Sequence, residues 1–152
     1  MTIGSHVEAV IDAAQLAALY HGDQRYGRHP YIVHPLAVAD QVGQRGGSIE
    51  QIVAAILHDT VEDTDLTLDV IRLAFGPEVA AIVGALTHDP AVPYAEYVAA
   101  LPDDAVLVKL CDSICNLHAL PGADMPDARK RKLTDRYERN IAVLSERFGA
   151  SQ

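Results

Sequence analysis

The sequence contains no tryptophan, two phenylalanines and two cysteines in 152 residues, and aromatic side chains make up 5% of it. Its interior therefore has to be built from aliphatic residues. Two cysteines exclude a disulfide-stapled scaffold. Cys111 and Cys115 stand four apart on one expected helix, where a bridge fits poorly, so reduced thiols in a cytoplasmic protein are expected. A metal-binding cysteine pair is the weaker reading, because no further Cys and no closely spaced His pair accompanies them. Long apolar runs are also missing. The longest, Val79 to Leu86, falls far short of the ~20 residues that cross a bilayer. The N-terminus lacks the basic and then apolar segments of a secretory signal. No linker-like Pro, Gly or Ser tract, repeat or low-complexity segment interrupts the chain, so residues 1–152 read as a single domain.

Cations are scarce as well. Twelve Lys and Arg face 21 Asp and Glu, for a net charge of −9, which argues against nucleic acid as a partner. The cations are concentrated, however. Arg129, Lys130, Arg131, Lys132, Arg136 and Arg139 fall close together, and Arg25 and Arg28 form a smaller group before His34. Such segments either focus a small anion into a cleft or form a solvated face.

What the chain does have is helical periodicity, and no convincing strand alternation. Ser5 and Glu8 suggest a capping box for a first helix with Val7, Val10, Ile11, Ala14 and Ala18 on its apolar face. His21 to Pro30 reads as a loop, and His34-Pro35 opens a second helix. Ser48 and Gln51 form another capping box before Ile49, Ile52, Val53, Ile56 and Leu57. Thr67 caps a helix that Gly76 ends, and Pro77 starts the next. Thr87-His88-Asp89-Pro90 breaks that one, and Pro93 introduces a short helix. A further helix runs from Ala105 to His118, capped by Asp103 or Asp104, with Leu107, Leu110, Ile114 and Leu117 inward. The last runs from about Asp127 to Phe148, with Leu133, Tyr137, Ile141, Leu144 and Phe148 inward and Gly149 ending it. The chain reads as all-α, with about seven or eight helices.

His34, the His58-Asp59 doublet and Asp112 stand out against this background. Two imidazoles and two carboxylates suit a borderline-hard divalent ion and leave coordination positions for water and a phosphoryl oxygen. A helix continuing from Ser48 through Asp63 would put Glu62 four residues after His58 and Asp63 four after Asp59. Acids at a helix C-terminus oppose its dipole, so this cluster asks for a cation; the alternative is a solvated, fraying end. Lys109, Asp112 and Asn116 lie at i, i+3 and i+7, which is either the wall of a site or an ordinary solvent-facing row.

Pro30-Tyr31-Ile32-Val33-His34-Pro35-Leu36 followed by Ile56-Leu57-His58-Asp59-Thr60-Val61-Glu62-Asp63-Thr64 resembles the hydrolase domain of RelA/SpoT-type alarmone enzymes. Phe75-Gly76-Pro77-Glu78-Val79 and Val108-Lys109-Leu110-Cys111-Asp112 continue the resemblance in order. It covers the whole chain, with no room for a synthetase domain, as in the small stand-alone hydrolases such as the metazoan SpoT homologue. The resemblance implies an all-α HD-domain helical bundle and one Mn²⁺ held by His34, His58, Asp59 and Asp112. It implies that Glu62 and Asp63 act on the attacking water or the leaving group. The implied substrate is ppGpp or pppGpp, which loses its 3′-diphosphate as pyrophosphate. Arg25, Lys109 and Asn116 are the expected substrate contacts. Tyr137 lies near where small relatives place a nucleotide-contacting tyrosine, and equally suits a packing role. Three positions depart from the family pattern: Tyr26 stands for a second basic residue, and Ser113 and Cys115 replace a basic residue and a His or Tyr. These departures keep open another phosphorylated nucleotide or dinucleotide as substrate. A non-hydrolysing alarmone-binding protein is the reading from a different class. A homo-oligomer is compatible with the sequence; a membrane partner is not expected.

Overall fold

The aliphatic periodicities become helices that surround one buried helix in the computed structural model, which describes residues 3–150. The order is α1 (Ile3–His21), β1 (Arg25–Tyr26), β2 (His29–Pro30), α2 (Val33–Gln44), α3 (Ile49–Leu57), α4 (Thr60–Asp63), α5 (Leu68–Phe75), α6 (Pro77–Leu86), α7 (Tyr94–Ala99), α8 (Asp103–Ala119), a 3₁₀ turn (Leu120–Gly122) and α9 (Asp127–Ala150). The described residues thus form the expected all-α bundle. They form nine helical segments, because the expected helix through His58-Asp59 is divided into α3 and α4.

Helix α8 is the axis of the bundle. Ala105, Val106, Leu107, Val108, Leu110 and Cys111 are all buried, and the helix packs against α2, α3, α6 and α9. Its apolar residues extend well beyond the expected single stripe. Ile114 and Leu117 on that stripe are only half-buried. The aliphatic core includes Val38, Val42, Ile56, Leu57, Ile71, Val83 and Leu144.

Most of the expected punctuation is present. The Ser48 side chain accepts from the Gln51 amide, and the Gln51 side chain accepts from the Ser48 amide. The Thr67 hydroxyl caps α5, Gly76 at φ +95° ends it, and Pro77 begins α6. Four details differ. Ser5 and Glu8 lie inside α1, which already includes Ile3, so they do not mark its start. The buried face of α1 carries Ala13 and Ala17, while Val7 and Ile11 are 54% and 48% exposed. Small side chains let α1 lie close on α3, and that closeness turns the larger residues outward. Asp103 and Asp104 occupy the first turn of α8 and do not cap it; Pro102 precedes it without a side-chain cap. There they still favour the positive end of the helix dipole. Gly149 remains helical in α9, because nothing at that position demands a left-handed backbone.

The loop before His34 contains a small antiparallel hairpin that alternation could not reveal in two-residue strands. Arg25 pairs with Pro30 and Tyr26 with His29. The turn needs the positive φ of Gly27, +58°.

Gly47 sets the spacing of α2 and α3. A Cβ there would lie 2.4 Å from Val42 Cγ1, 3.0 Å from the Val42 carbonyl oxygen and 3.2 Å from Leu107 Cδ2. Gly47→Ala should therefore destabilise the fold by about 1–3 kcal/mol in denaturant unfolding, through overpacking at the α2–α3–α8 junction. Gly149→Ala, with no atom near its new methyl, should not lower stability.

Candidate active site

The site forms where the start of α2, the break between α3 and α4, and the middle of α8 meet. Two side chains occupy the carbonyls freed at the break. His58 Nδ1 donates to the Ala55 carbonyl at 2.7 Å, and Thr60 Oγ1 donates to the Leu57 carbonyl at 2.7 Å. Asp59 adopts φ −97°, ψ −5°. The chain resumes helical bonding at once, with the Asp63 amide donating to the Asp59 carbonyl at 3.0 Å. The expected continuous helix is thus interrupted at the doublet, which aims both of its side chains inward.

The donor atoms converge. His58 Nε2 lies 3.0 Å from Asp59 Oδ2 and 3.4 Å from Asp112 Oδ1. His34 Nε2 lies 3.1 Å from Asp112 Oδ1 and 3.7 Å from Asp59 Oδ2. One donor each from His34, His58 and Asp59 fall within 4.8 Å of one another, and Asp112 closes the fourth side. The bonded Nδ1 of His58 carries its proton, so Nε2 presents a lone pair; it is buried without a hydrogen-bond partner. This residue set fits a divalent cation: neutral imidazole nitrogen and carboxylate oxygen, oriented by partners behind them.

The electrostatics show what a cation would have to displace, since the same carboxylates favour a second proton on the ring. Burial pushes the His58 pKa down, but Asp59 and Asp112 outweigh it and hold the ring well above its ordinary value. Burial likewise opposes ionisation of Asp59, yet His58 beside it brings its pKa down to about 2. Asp112 is held well below the usual carboxylate range, against burial, chiefly by Lys109 and the two histidines. Each of its oxygens accepts a hydrogen bond and keeps a lone pair. Lys109 Nζ donates to Oδ2 at 2.9 Å and Asn116 Nδ2 to Oδ1 at 2.7 Å. Lys109 stays protonated for the reciprocal reason: burial lowers its pKa, and Asp112 more than restores it. The expected row of Lys109, Asp112 and Asn116 is therefore a site wall, with Asp112 5% exposed.

A cleft of about 480 Å³ opens over these groups, lined also by Tyr31, Glu62, Asp63, His88, Tyr94, Arg136 and Tyr137. Asn116 and Tyr137 lead from it to a second lobe of about 660 Å³, lined by Arg25, Tyr26, Arg28, His29, Met125 and Leu133 among others. Eight of the eleven residues singled out from sequence line the metal lobe, and His58, 2% exposed, is buried among the donors without lining it. Arg25 and Tyr26 line only the second, where Arg25 donates to the Arg28 carbonyl at 3.0 Å. Tyr26 stacks on the His34 ring at 4.7 Å, and its hydroxyl donates to Asn116 Oδ1 at 3.2 Å. Of the departures noted above, only Tyr26 reaches the cleft. Ser113 is buried beneath Asn140, and Cys115 lines neither lobe. Both cysteines are free, and burial pushes their thiols up to about 12 for Cys111 and about 11 for Cys115.

The HD domain family matches residues 11–96, which include three of the four convergent donors. The chain belongs to the HD-domain family. Mouse MESH1, named guanosine-3′,5′-bis(diphosphate) 3′-pyrophosphohydrolase, is 35% identical over 99% of this chain and 90% of its own length. The human protein of the same name is 40% identical over 78% of this chain and 73% of its own. A similarly named Aquifex aeolicus enzyme is 34% identical over 95% of this chain, which spans only 22% of that longer protein. The solved structure of a metazoan ortholog of SpoT that hydrolyses ppGpp superposes with a TM-score of 0.76, at 25% identity, covering 93% of this chain and 92% of that one. This HD domain thus has hydrolases for relatives, as its motifs implied.

Sequence reasoning missed several groups that shape the HD site. The Tyr31 hydroxyl donates to Asp59 Oδ2 in a short bond, and burial and Asp59 raise its pKa so that it remains a donor. Gln24 Nε2 donates to Asp63 Oδ2 at 3.2 Å, and His21 Nδ1 lies 2.8 Å from Gln24 Oε1. The His88 amide donates to Glu62 Oε1. Apart from His21 and Gln24, these partners are distant in sequence, and only the closeness of Tyr31 and Gln24 to the His34 motif hinted at them.

If the four donors hold a divalent cation, adding Mn²⁺ or another divalent ion should raise the melting temperature of the wild type in a concentration-dependent way. Asp112→Asn, nearly isosteric, should lose that shift. A full shift in the variant would remove Asp112 from the metal set.

Proposed function

We propose that this HD domain hydrolyses (p)ppGpp-type guanosine alarmones, releasing the 3′-diphosphate as pyrophosphate, with Mn²⁺ held by His34, His58, Asp59 and Asp112. The observation that carries this reading is the pairing of a four-donor metal set with Glu62 and Asp63 on one cleft that continues into a nucleoside-sized lobe. Relatives that this chain covers for most of their length carry that activity in their names. A divalent cation bound there supplies Lewis acidity toward a phosphoryl oxygen and the attacking water.

The chain's own groups then have separable tasks. Asp63, steadied by Gln24, and Glu62, steadied by the His88 amide, orient the water and take up its proton. The water oxygen bonds to the phosphorus attached to the ribose 3′ oxygen. That P–O bond breaks, and the ribose oxygen receives a proton. Lys109 keeps Asp112 ionised and places positive charge beside the phosphoryl group. Arg25, Tyr26, Asn116 and Tyr137 receive the nucleoside. The expected setting is cytoplasmic.

A second reading keeps the chemistry and changes the nucleotide. It rests on Tyr26, which puts a neutral ring and a hydroxyl bonded to Asn116 in the nucleoside lobe.

Purified protein with Mn²⁺ should release pyrophosphate from ppGpp, and Asp59→Ala should not. Glu62→Gln and Asp63→Asn should bind the metal normally while kcat falls by about 10²–10⁴. A metal-loaded wild type that leaves ppGpp intact but cleaves another nucleotide would favour the second reading. Stable, uncleaved ppGpp bound with Mn²⁺ would instead mark a sensor.

A further inference from the structure

The basic run of α9 divides sharply in the folded protein. Arg129, Arg131, Lys132 and Arg139 are exposed on its outer face, and Lys130 donates to the Pro121 carbonyl at 3.3 Å. Arg136 alone of this run lines the metal lobe. Its guanidinium lies over the Tyr94 ring, 4.6 Å from the centroid. Among the described residues it makes no hydrogen bond and no ion pair.

That idleness is informative because the lobe's other cation and the ring beneath the guanidinium are both committed. Lys109, the other Lys or Arg lining this lobe, is committed to Asp112. Tyr94 is a fixed platform. Its hydroxyl accepts from the buried Asn140 at 3.4 Å, and His88 and Tyr97 pack around its ring. A guanidinium stacked on an aromatic face keeps its N–H edge free for the planar, two-pronged bonds that phosphate oxygens accept. Arg136 thus presents an unspent, pre-oriented phosphate donor to the lobe that holds the metal donors, and lines no part of the nucleoside lobe.

The direction of the substrate follows from the two lobes. With the nucleoside beyond Asn116 and Tyr137, and the first phosphate of the 3′-diphosphate at the metal donors, the second phosphate has to continue into the metal lobe. We propose that Arg136, stacked on Tyr94, clamps this outer phosphate and so makes the site prefer a 3′-diphosphate to a 3′-monophosphate. The proposal rests on the function argued above.

Calorimetric titration of pyrophosphate and of orthophosphate, with Mn²⁺ in excess, tests the clamp without requiring turnover. Arg136→Gln should weaken pyrophosphate binding roughly 10- to 100-fold, the worth of charge-assisted hydrogen bonds, and orthophosphate binding by less than about threefold. Arg136→Lys should recover part of the loss, since it restores charge but not the fork. An unchanged melting temperature for both variants would exclude a folding effect. Equal weakening of both anions, or none, would overturn the proposal. Turnover of ppGpp by the wild type is scored separately. A discriminating Arg136 without ppGpp turnover would sink the substrate assignment and leave the clamp, whereas turnover without discrimination would sink the clamp alone.

Discussion

Two carboxylates and two imidazole nitrogens facing one another at 3.0–3.7 Å inside a protein are the constraint on which this structure turns. Removing such charges from water costs several kcal/mol each unless they are paired and hydrogen-bonded. The surrounding residues meet much of that demand: Lys109, Asn116 and Tyr31 each satisfy a carboxylate oxygen. The space between the donors is the part that protein groups do not fill. A cation there would turn the repulsion between Asp59 and Asp112 into coordination, so an arrangement that is costly to bury is also one prepared to bind.

Holding that arrangement shapes the scaffold around it. Helix α8 carries Asp112 and is buried on most of its circumference, so its register is fixed from several sides at once. The division of α3 from α4 breaks a helix to aim His58 and Asp59 together, and Thr60 and His58 repair the exposed carbonyls with their own side chains. Gly47 lets α2, which carries His34, close against α8. Each device is local, and each serves to bring one ligand to a common point.

These devices differ in how visible they are in sequence. Capping boxes, Gly76-Pro77 and aliphatic spacing act over a few residues, so the helices after α2 were legible. The convergence of His34, His58, Asp59 and Asp112 was legible because unlike residue types stood where helical spacing alone gave no reason for them. The break after Leu57 was not, because a run that suits a helix says nothing about tertiary demand at its end. Val7 and Ile11 misled for a related reason: α1 has two adjacent apolar stripes, and only the packing distance to α3 selects the alanine one. The Gln24–Asp63 and His88–Glu62 bonds join segments far apart in sequence, and no local rule anticipates them.

The net charge of −9 looked ill-suited to a polyanionic ligand, and the folded protein resolves this by location. The metal lobe is lined by Asp59, Glu62, Asp63 and Asp112, against Lys109 and Arg136. A divalent ion balances two of those carboxylates, and the two basic side chains offset the others. The lobe then presents little net charge, so a phosphate entering it meets oriented donors without a repelling field. The remaining acids lie elsewhere on the surface, where water screens them. Total charge therefore bears on a nucleic-acid partner and says little about a small anion, because a long polyelectrolyte samples the whole surface and a nucleotide samples one cleft.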